Sequence, residues 1–472
     1  MKVSLNYKIL DQLILIYKIF SLSIIVVCSL GLITNYVTMM YITMGCFFYV
    51  CCLTLTERNF SLYQIFLATF FVFLLSRVFF NCFNSYDLRN LNLMQHSMMT
   101  DETALKTLIV LTVFLIGTSF GWLETIKKQK FAKKQFERVP AKTSLITIAH
   151  YLYYVYIFLF VVKMGYIINA ARTYGYLSLF NGTAADNVHY PFFLIGVASI
   201  SEFLFIILLY FNRDKKSFIK YGGLLLVAAI SKLFTGQRGY SFIIPIYLLY
   251  LWSTYYKEIR FTNVKLLLFV ALIPFLAFFI REYRYKNDHK TSKQQIENNI
   301  YVSFLSGQGC SLEVIAGTID NSAKFQNRYP FLIGYFIDFV TGNTKRQDMN
   351  SIKNGNYLGH QLTYAINPEA YLAGRGTGTS IVAEVYSTVK GNNVLIFLLA
   401  YFLTLGVLYI ANNAYKNLYM FGISYYLIFD VIFSPRSSLF KHISEIVLCL
   451  LACLLFNTIQ NLSKNKSHYA KC

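Results

Sequence analysis

The chain has 472 residues, with 43 Lys+Arg against 22 Asp+Glu, only 14% charged residues and 56% hydrophobic ones. A water-soluble domain solvates its surface with about 25% charged residues, so an ordinary soluble enzyme, a disordered chain and a secreted disulfide scaffold are all excluded. The mean hydropathy of +0.48 describes a polytopic membrane protein, and the net charge of +21 has to be placed along the chain before it is interpreted.

A helix crosses the hydrocarbon core with about 20 mostly apolar residues. That length predicts about twelve transmembrane helices, near 10–34, 36–55, 61–82, 104–123, 144–168, 191–211, 219–236, 240–256, 264–281, 393–413, 417–434 and 442–460. Only the polar pair Thr34–Asn35 parts the first two. The expected fold is an all-α polytopic integral membrane protein in three parts. Helices one to nine fill 1–281, one large periplasmic loop containing short helices fills 282–392, and helices ten to twelve with a tail fill 393–472. With the N-terminus in the cytoplasm, the tails and even-numbered connections carry 21 of the 43 basic residues, while the short outer connections carry six: Arg89, Lys106, Arg172, Arg238, Arg436 and Lys441. Lys and Arg accumulate on the cytoplasmic side, which predicts a multi-pass protein with both termini in the cytoplasm. Trp122 and Trp252 fall at predicted cytoplasmic span ends, where an aromatic belt sits. The basic excess is thus a topology signal, with the lipid bilayer as partner and no nucleic acid. Lys2 and Lys8 precede an apolar run that no small-residue cleavage site follows, so the first helix reads as a retained span.

The segment 282–392 carries acids and bases in near balance, and loops of that length are usually functional. Within it Tyr329–Val340 (YPFLIGYFIDFV) is strongly apolar but too short to span, and predicts a helix at the interface or capping a cavity. Asn350–Gly359 is polar and rich in Gly and Asn, and reads as irregular loop. The nine cysteines include no CxxC pair and no Cys/His spacing suited to zinc. Cys449 and Cys453 lie one helical turn apart, a spacing that suits packing better than metal, and no metal or cofactor is expected.

Lys18, Arg77, Lys163 and Lys232 remain inside apolar segments, together with Glu202, Asp430 and Glu445. Charges within a bilayer are costly and usually face a partner, a cavity or a substrate path. Each cation either snorkels to an interface or neutralises one of these acids, or else Arg77, Lys163, Arg172, Lys232, Arg238 and Arg281 line a cationic chamber opening outward. Such a chamber suits a diphosphate, because the arginine fork binds phosphate oxygens bidentately and stays charged in a partly dry site. The chain contains no GxxxxGK[ST] loop, no D-x-D pair and no H-E-x-x-H motif, which points to an anionic lipid-linked donor handled without nucleotide or metal.

Three stretches carry a resemblance. They are Phe234–Tyr240 (FTGQRGY), Gly374–Tyr386 (GRGTGTSIVAEVY) at the end of the large loop, and Ser434–Phe440 (SPRSSLF). With the long outer loop they resemble the Wzy-type O-antigen polymerases, integral-membrane glycosyltransferases of the GT-C class. The related ligases carry a His-[Asn/Ser/Gln] pair followed after nine intervening residues by Gly; here His360-Gln361 is followed after nine intervening residues by Tyr371, and the first Gly is Gly374. The polymerase pattern of Arg and Gly with ten residues between them is matched imperfectly by Arg172 and Gly182, which have nine between.

The resemblance implies that a growing glycan on undecaprenyl diphosphate is transferred to the non-reducing-end sugar of a lipid-linked repeat unit, with a chain-length regulator as a further partner. On that reading Arg238, Arg281 and Arg436 hold the diphosphate, with Arg172, Arg284 and Arg375 as second choices. Glu384 and His360 compete as general base, and Gly236, Gly374, Gly376 and Gly378 let backbone approach the anion. The bland alternatives are that Glu384 pairs with Arg375 or caps a helix, and that His360 is an ordinary loop histidine. A lipid-linked oligosaccharide flippase fits the spans and cations equally, but alternating-access carriers usually have two similar halves, which this chain lacks. An O-antigen ligase differs only in its acceptor.

Overall fold

The computed structural model describes residues 7–57, 60–83, 86–91, 97–129, 143–174, 191–235, 238–257, 259, 300–326, 328–343 and 347–469. The first helix, α1 (Tyr7–Ser29), ends before Gly31 in the left-handed region (φ 67°), and Asn35 then caps α2 (Tyr36–Thr54) by accepting the Val37 N–H. The break between the first two spans is therefore six residues, wider than the Thr34–Asn35 pair. Ser61 and Gln64 form a reciprocal capping box at the start of α3 (Leu62–Phe70), which continues through a π-helical turn, Phe71–Leu75, into α4 (Ser76–Cys82). Next come α5 (Asp101–Gln129), α6 (Thr143–Tyr174), α7 (Val197–Phe211), α8 (Lys215–Ser231) and α9 (Arg238–Tyr255).

The large segment contributes α10 (Ile300–Gln308), α11 (Ser311–Asn321), α12 (Gly334–Thr341), α13 (Met349–Asn354), α14 (Leu358–Ile366), α15 (Pro368–Leu372) and α16 (Ile381–Thr388). The chain closes with α17 (Asn393–Asn413), α18 (Leu418–Phe433) and α19 (Ile443–Tyr469). Apart from a two-residue pairing of 90–91 with 97–98, the described residues are helical or irregular.

Nine of these helices, counting α3 to α4 as one, are long and apolar enough to cross a membrane among the described residues, and each coincides with an expected span. Of the other three expected spans, 191–211 contains the shorter apolar helix Val197–Phe211, 240–256 is occupied by α9, and 264–281 lies outside the described residues. The most apolar windows of α5 and α18 are each 78% buried, against 22–28% for α1, α6, α17 and α19. So α5 and α18 are central, and the peripheral helices turn residues such as Phe20, Phe158, Phe402 and Leu455 outward, as a lipid solvent allows.

Two expectations for the large segment change. Asn350–Gly359 is not irregular: Asp348 caps α13 through the Ser351 N–H, and α14 begins at Leu358. Tyr329–Val340 does form a helix, entered by the 3-10 turn Phe331–Ile333. A Cβ on Gly334 would meet the Asn356 carbonyl at 2.0 Å, and Asp338 accepts the Asn356 N–H at 2.9 Å. These contacts clip α12 to the turn before α14.

Candidate active site at the end of α18

Beyond Phe433, α18 tightens into the 3-10 turn Ser434–Arg436, with Pro435 in its first positions. This point gathers all three of the stretches singled out from the sequence. A Cβ on Gly239 would lie 3.5 Å from the Phe433 ring, and the rings of Tyr240 and Phe429 are 5.5 Å apart. A Cβ on Gly378 would lie 3.9 Å from the Arg436 carbonyl. Ser438 donates to Glu384 Oε2 at 3.0 Å, which ties Gly374–Tyr386 to Ser434–Phe440.

Glu384 sits in the first turn of α16, which Ser380 caps. Its side chain is buried, and Oε1 accepts from Thr379 Oγ1 at 3.1 Å. Burial raises its carboxyl from 4.5 to about 8, because an ion loses hydration there that two hydroxyl donors only partly restore. The group thus holds its proton through most of the neutral range. His360, on α14, is buried between the rings of Tyr357 (4.9 Å) and Tyr371 (5.5 Å). The same desolvation pushes its imidazole down to about 4, so it is neutral at pH 7. Tyr357 hydrogen-bonds Tyr335, and both lie within electrostatic reach of Glu384. Hence His360 and Glu384 belong to one neighbourhood.

Arg436 is half-buried, donates to Gln308 Oε1 at 2.5 Å and lies 5.6 Å from the Phe73 ring centre. In the Gly-rich turn, Gly374 (φ 84°) and Gly378 (φ 74°) are left-handed, a region that side chains disfavour. Three N–H groups of this turn are spent internally: Gly374 on Tyr371, Arg375 on Ala370 and Thr377 on the Thr363 hydroxyl. An anion would have to be met by those of Gly376 and Gly378. Arg375 is exposed and its carbonyl accepts from Gln347 at 3.0 Å.

The family model for the O-antigen polysaccharide polymerase Wzy matches residues 14–466. The chain belongs to this family. No curated protein and no solved structure matches it. The resemblance drawn from three short stretches thus extends over nearly the whole of this Wzy-family chain, and those stretches are the ones that the fold brings to one place.

The other cations sort differently. Arg77, expected to line an outward chamber, is instead sealed in a structural ion pair. Its Nε donates to the Ser306 carbonyl at 2.8 Å, it pairs with Glu313 of α11, and its guanidinium lies 5.2 Å from the Tyr86 ring centre. Removing one charge from water is affordable here because the partner charge and a carbonyl are both in contact. The neutralising acid comes from the large segment and not from a neighbouring span. Lys232 lies 3.4 Å from the Tyr240 ring centre, and Tyr240 donates to Glu202 at 2.6 Å. Lys163 is half-exposed on α6, and Lys18 stands 5.7 Å from the Phe120 ring centre. Arg172 is exposed in the last turn of α6. Arg238 opens α9, while Gly236, Arg281 and Arg284 lie outside the described residues.

Sequence reading missed two features of this Wzy-family site. Gln308, the partner of Arg436, comes from α10, and no motif marks it. His442 Nδ1 lies 2.5 Å from Asp430 Oδ1, and its backbone N–H donates to Asp430 Oδ2 at 3.0 Å. Asp430 stood out only as an acid in an apolar segment, and His442 follows Ser434–Phe440 by two residues. The available signal was that unexplained acid one helical end away from a histidine.

Proposed function

We propose that this chain polymerises lipid-linked oligosaccharide repeat units at the periplasmic face of a bacterial cytoplasmic membrane, with both termini in the cytoplasm. It transfers the growing glycan from undecaprenyl diphosphate to the non-reducing-end sugar of a repeat unit on a second carrier. The observation that carries this reading is the convergence of the three stretches on the end of α18, with Arg436 and Glu384 joined through Ser438 and Gly378. Diphosphate leaves without protonation, so the main demand is for cations that meet its developing charge. Arg436 answers it, with Arg238 and Arg281 as its companions, Arg172, Arg284 and Arg375 in reserve, and the N–H groups of Gly376 and Gly378 as further donors. A Glu384 that keeps its proton adds no negative charge beside the diphosphate. The acceptor hydroxyl needs a proton acceptor; Glu384 can fill that role only in its ionised form, and His360 and His442 are the other nearby groups.

A chain-length regulator completes the partners of this reading.

The test is the surface polysaccharide of a strain lacking the chain, separated by size. Loss of the ladder with one repeat unit still attached to its final acceptor supports polymerisation. Unmodified acceptor with repeat units trapped on the cytoplasmic side means a flippase. Unmodified acceptor with full-length polymer left on its lipid carrier means a ligase. Complementation with Arg436→Ala or Arg238→Ala should restore no ladder despite normal insertion. The lysine variants should rescue poorly, because an ammonium lacks the bidentate fork.

A further inference from the structure

We infer that His442, oriented by Asp430, is the catalytic base that takes the proton from the attacking sugar hydroxyl. The inference rests on the polymerase reading and names a residue that the motifs leave unassigned. One oxygen of Asp430 accepts the His442 backbone N–H and the other lies 2.5 Å from Nδ1. With Asp430 ionised, that contact puts the ring proton on Nδ1 and leaves the lone pair on Nε2. The same arrangement orients the histidine of hydrolase triads. The ring is further held by Phe429 at 5.4 Å, edge to face, and by Tyr426 at 6.3 Å. The His442 side chain is 23% exposed while that of Asp430 is 2% exposed, so the pair has a fixed buried end and an open working end.

The two rivals are less suited. Both oxygens of Glu384 are engaged by Thr379 and Ser438, and His360 is enclosed by two tyrosine rings. Asp430 is within electrostatic reach of Glu384 and of Tyr335 on α12, which places the dyad at the same site as the Gly-rich turn. Around His442 stand Lys441 and Glu445 on its own segment, Glu202 from α7 and Tyr426 and Asp430 from α18; Lys232, in the turn after α8, and Tyr240 from α9 face Glu202 in turn.

In the step, the acceptor oxygen forms a bond to the donor's anomeric carbon and the bond from that carbon to the diphosphate oxygen breaks. The electron pair leaves with the diphosphate, and the hydroxyl proton passes to Nε2 and then to water. Asp430 is a positioning residue: it selects the tautomer and stabilises the imidazolium that forms.

The experiment uses the full-length chain in lipid vesicles, supplied with lipid-linked repeat units extracted from the strain that lacks it. Polymer formed by the unaltered chain tests the polymerase reading by itself, and its absence would remove both proposals. With that arm positive, His442→Gln should lower kcat about 100-fold or more with KM within about threefold. Asp430→Asn should lower kcat at unchanged KM, since the imidazole loses the carboxylate that orients it, whereas a merely structural role would raise KM as well. Wild-type kcat from a folded His442→Gln or Asp430→Asn chain would overturn the assignment and leave the polymerase reading standing.

Discussion

Glu384 keeps its proton because, among the described residues, its environment supplies hydroxyl donors and the nearby Asp430 and no resolved cation. Thr379 and Ser438 each give it one hydrogen bond, less than water gives an ionised carboxylate, and the carboxyl rises from 4.5 to about 8. The sign of the consequence follows: a group whose pKa is raised by folding contributes stability that is full below its unfolded value and is lost as pH rises through its folded value. Relative to Glu384→Gln, the unaltered protein should therefore lose thermal stability steadily from about pH 4.5 to about pH 8 and level off above it. Melting temperatures in detergent across that range check this, and parallel curves for the two proteins would refute it. Glu384 was readable in advance because it follows a Gly-rich motif. His442 was not, because its partner Asp430 is twelve residues away and only the turn after α18 folds one onto the other.

At the level of helices, two glycines bring α5 and α17 into close contact. Gly117 and Gly121 lie one turn apart on α5, and a Cβ on either would stand 2.6 Å from the Phe397 carbonyl or 2.7 Å from that of Tyr401 on α17. In a bilayer, where apolar surface gains little by leaving lipid, such small-residue contacts let dispersion hold two helices together. Gly117→Leu must push backbone against backbone and should cost about 1–3 kcal/mol, seen as a lower melting temperature in detergent. Gly165→Ala, with nothing within 4 Å of the new methyl, should leave it unchanged or raise it. The helices of the large segment were harder to anticipate. Asn350–Gly359 is polar enough to read as loop, and only the Asp348 cap and the docking of α14 against the Gly-rich turn, through Thr363 and Thr377, make it regular.

Across the whole molecule, the large segment is fastened to the bundle by buried polar contacts. Arg77 on α4 pairs with Glu313, Ser76 donates to the Leu305 carbonyl at 2.9 Å, and Thr103 on α5 donates to Asp320 at 2.6 Å. A Cβ on Gly309 would meet Ser76 Oγ at 2.6 Å, so α10 turns into α11 directly against α4, and that turn sets Gln308 beside Arg436. Arg77→Met alone takes the partner charge away from the buried Glu313 and should cost about 3–5 kcal/mol, whereas Arg77→Met with Glu313→Leu should recover most of it. Chemical denaturation of the single and double variants in detergent measures the difference; equal losses in both would show that the pair has no electrostatic part in the docking. Hydropathy over about 20 residues reports the solvent that a segment meets, so the membrane class, nine of the spans and the three family stretches were all written in local sequence. Which cation faces a substrate and which is neutralised was not. Arg77 and Glu313 are 236 residues apart, and their pairing exists only once α11 has docked on α4, because a charge in an apolar segment is silent about its partner until packing supplies one.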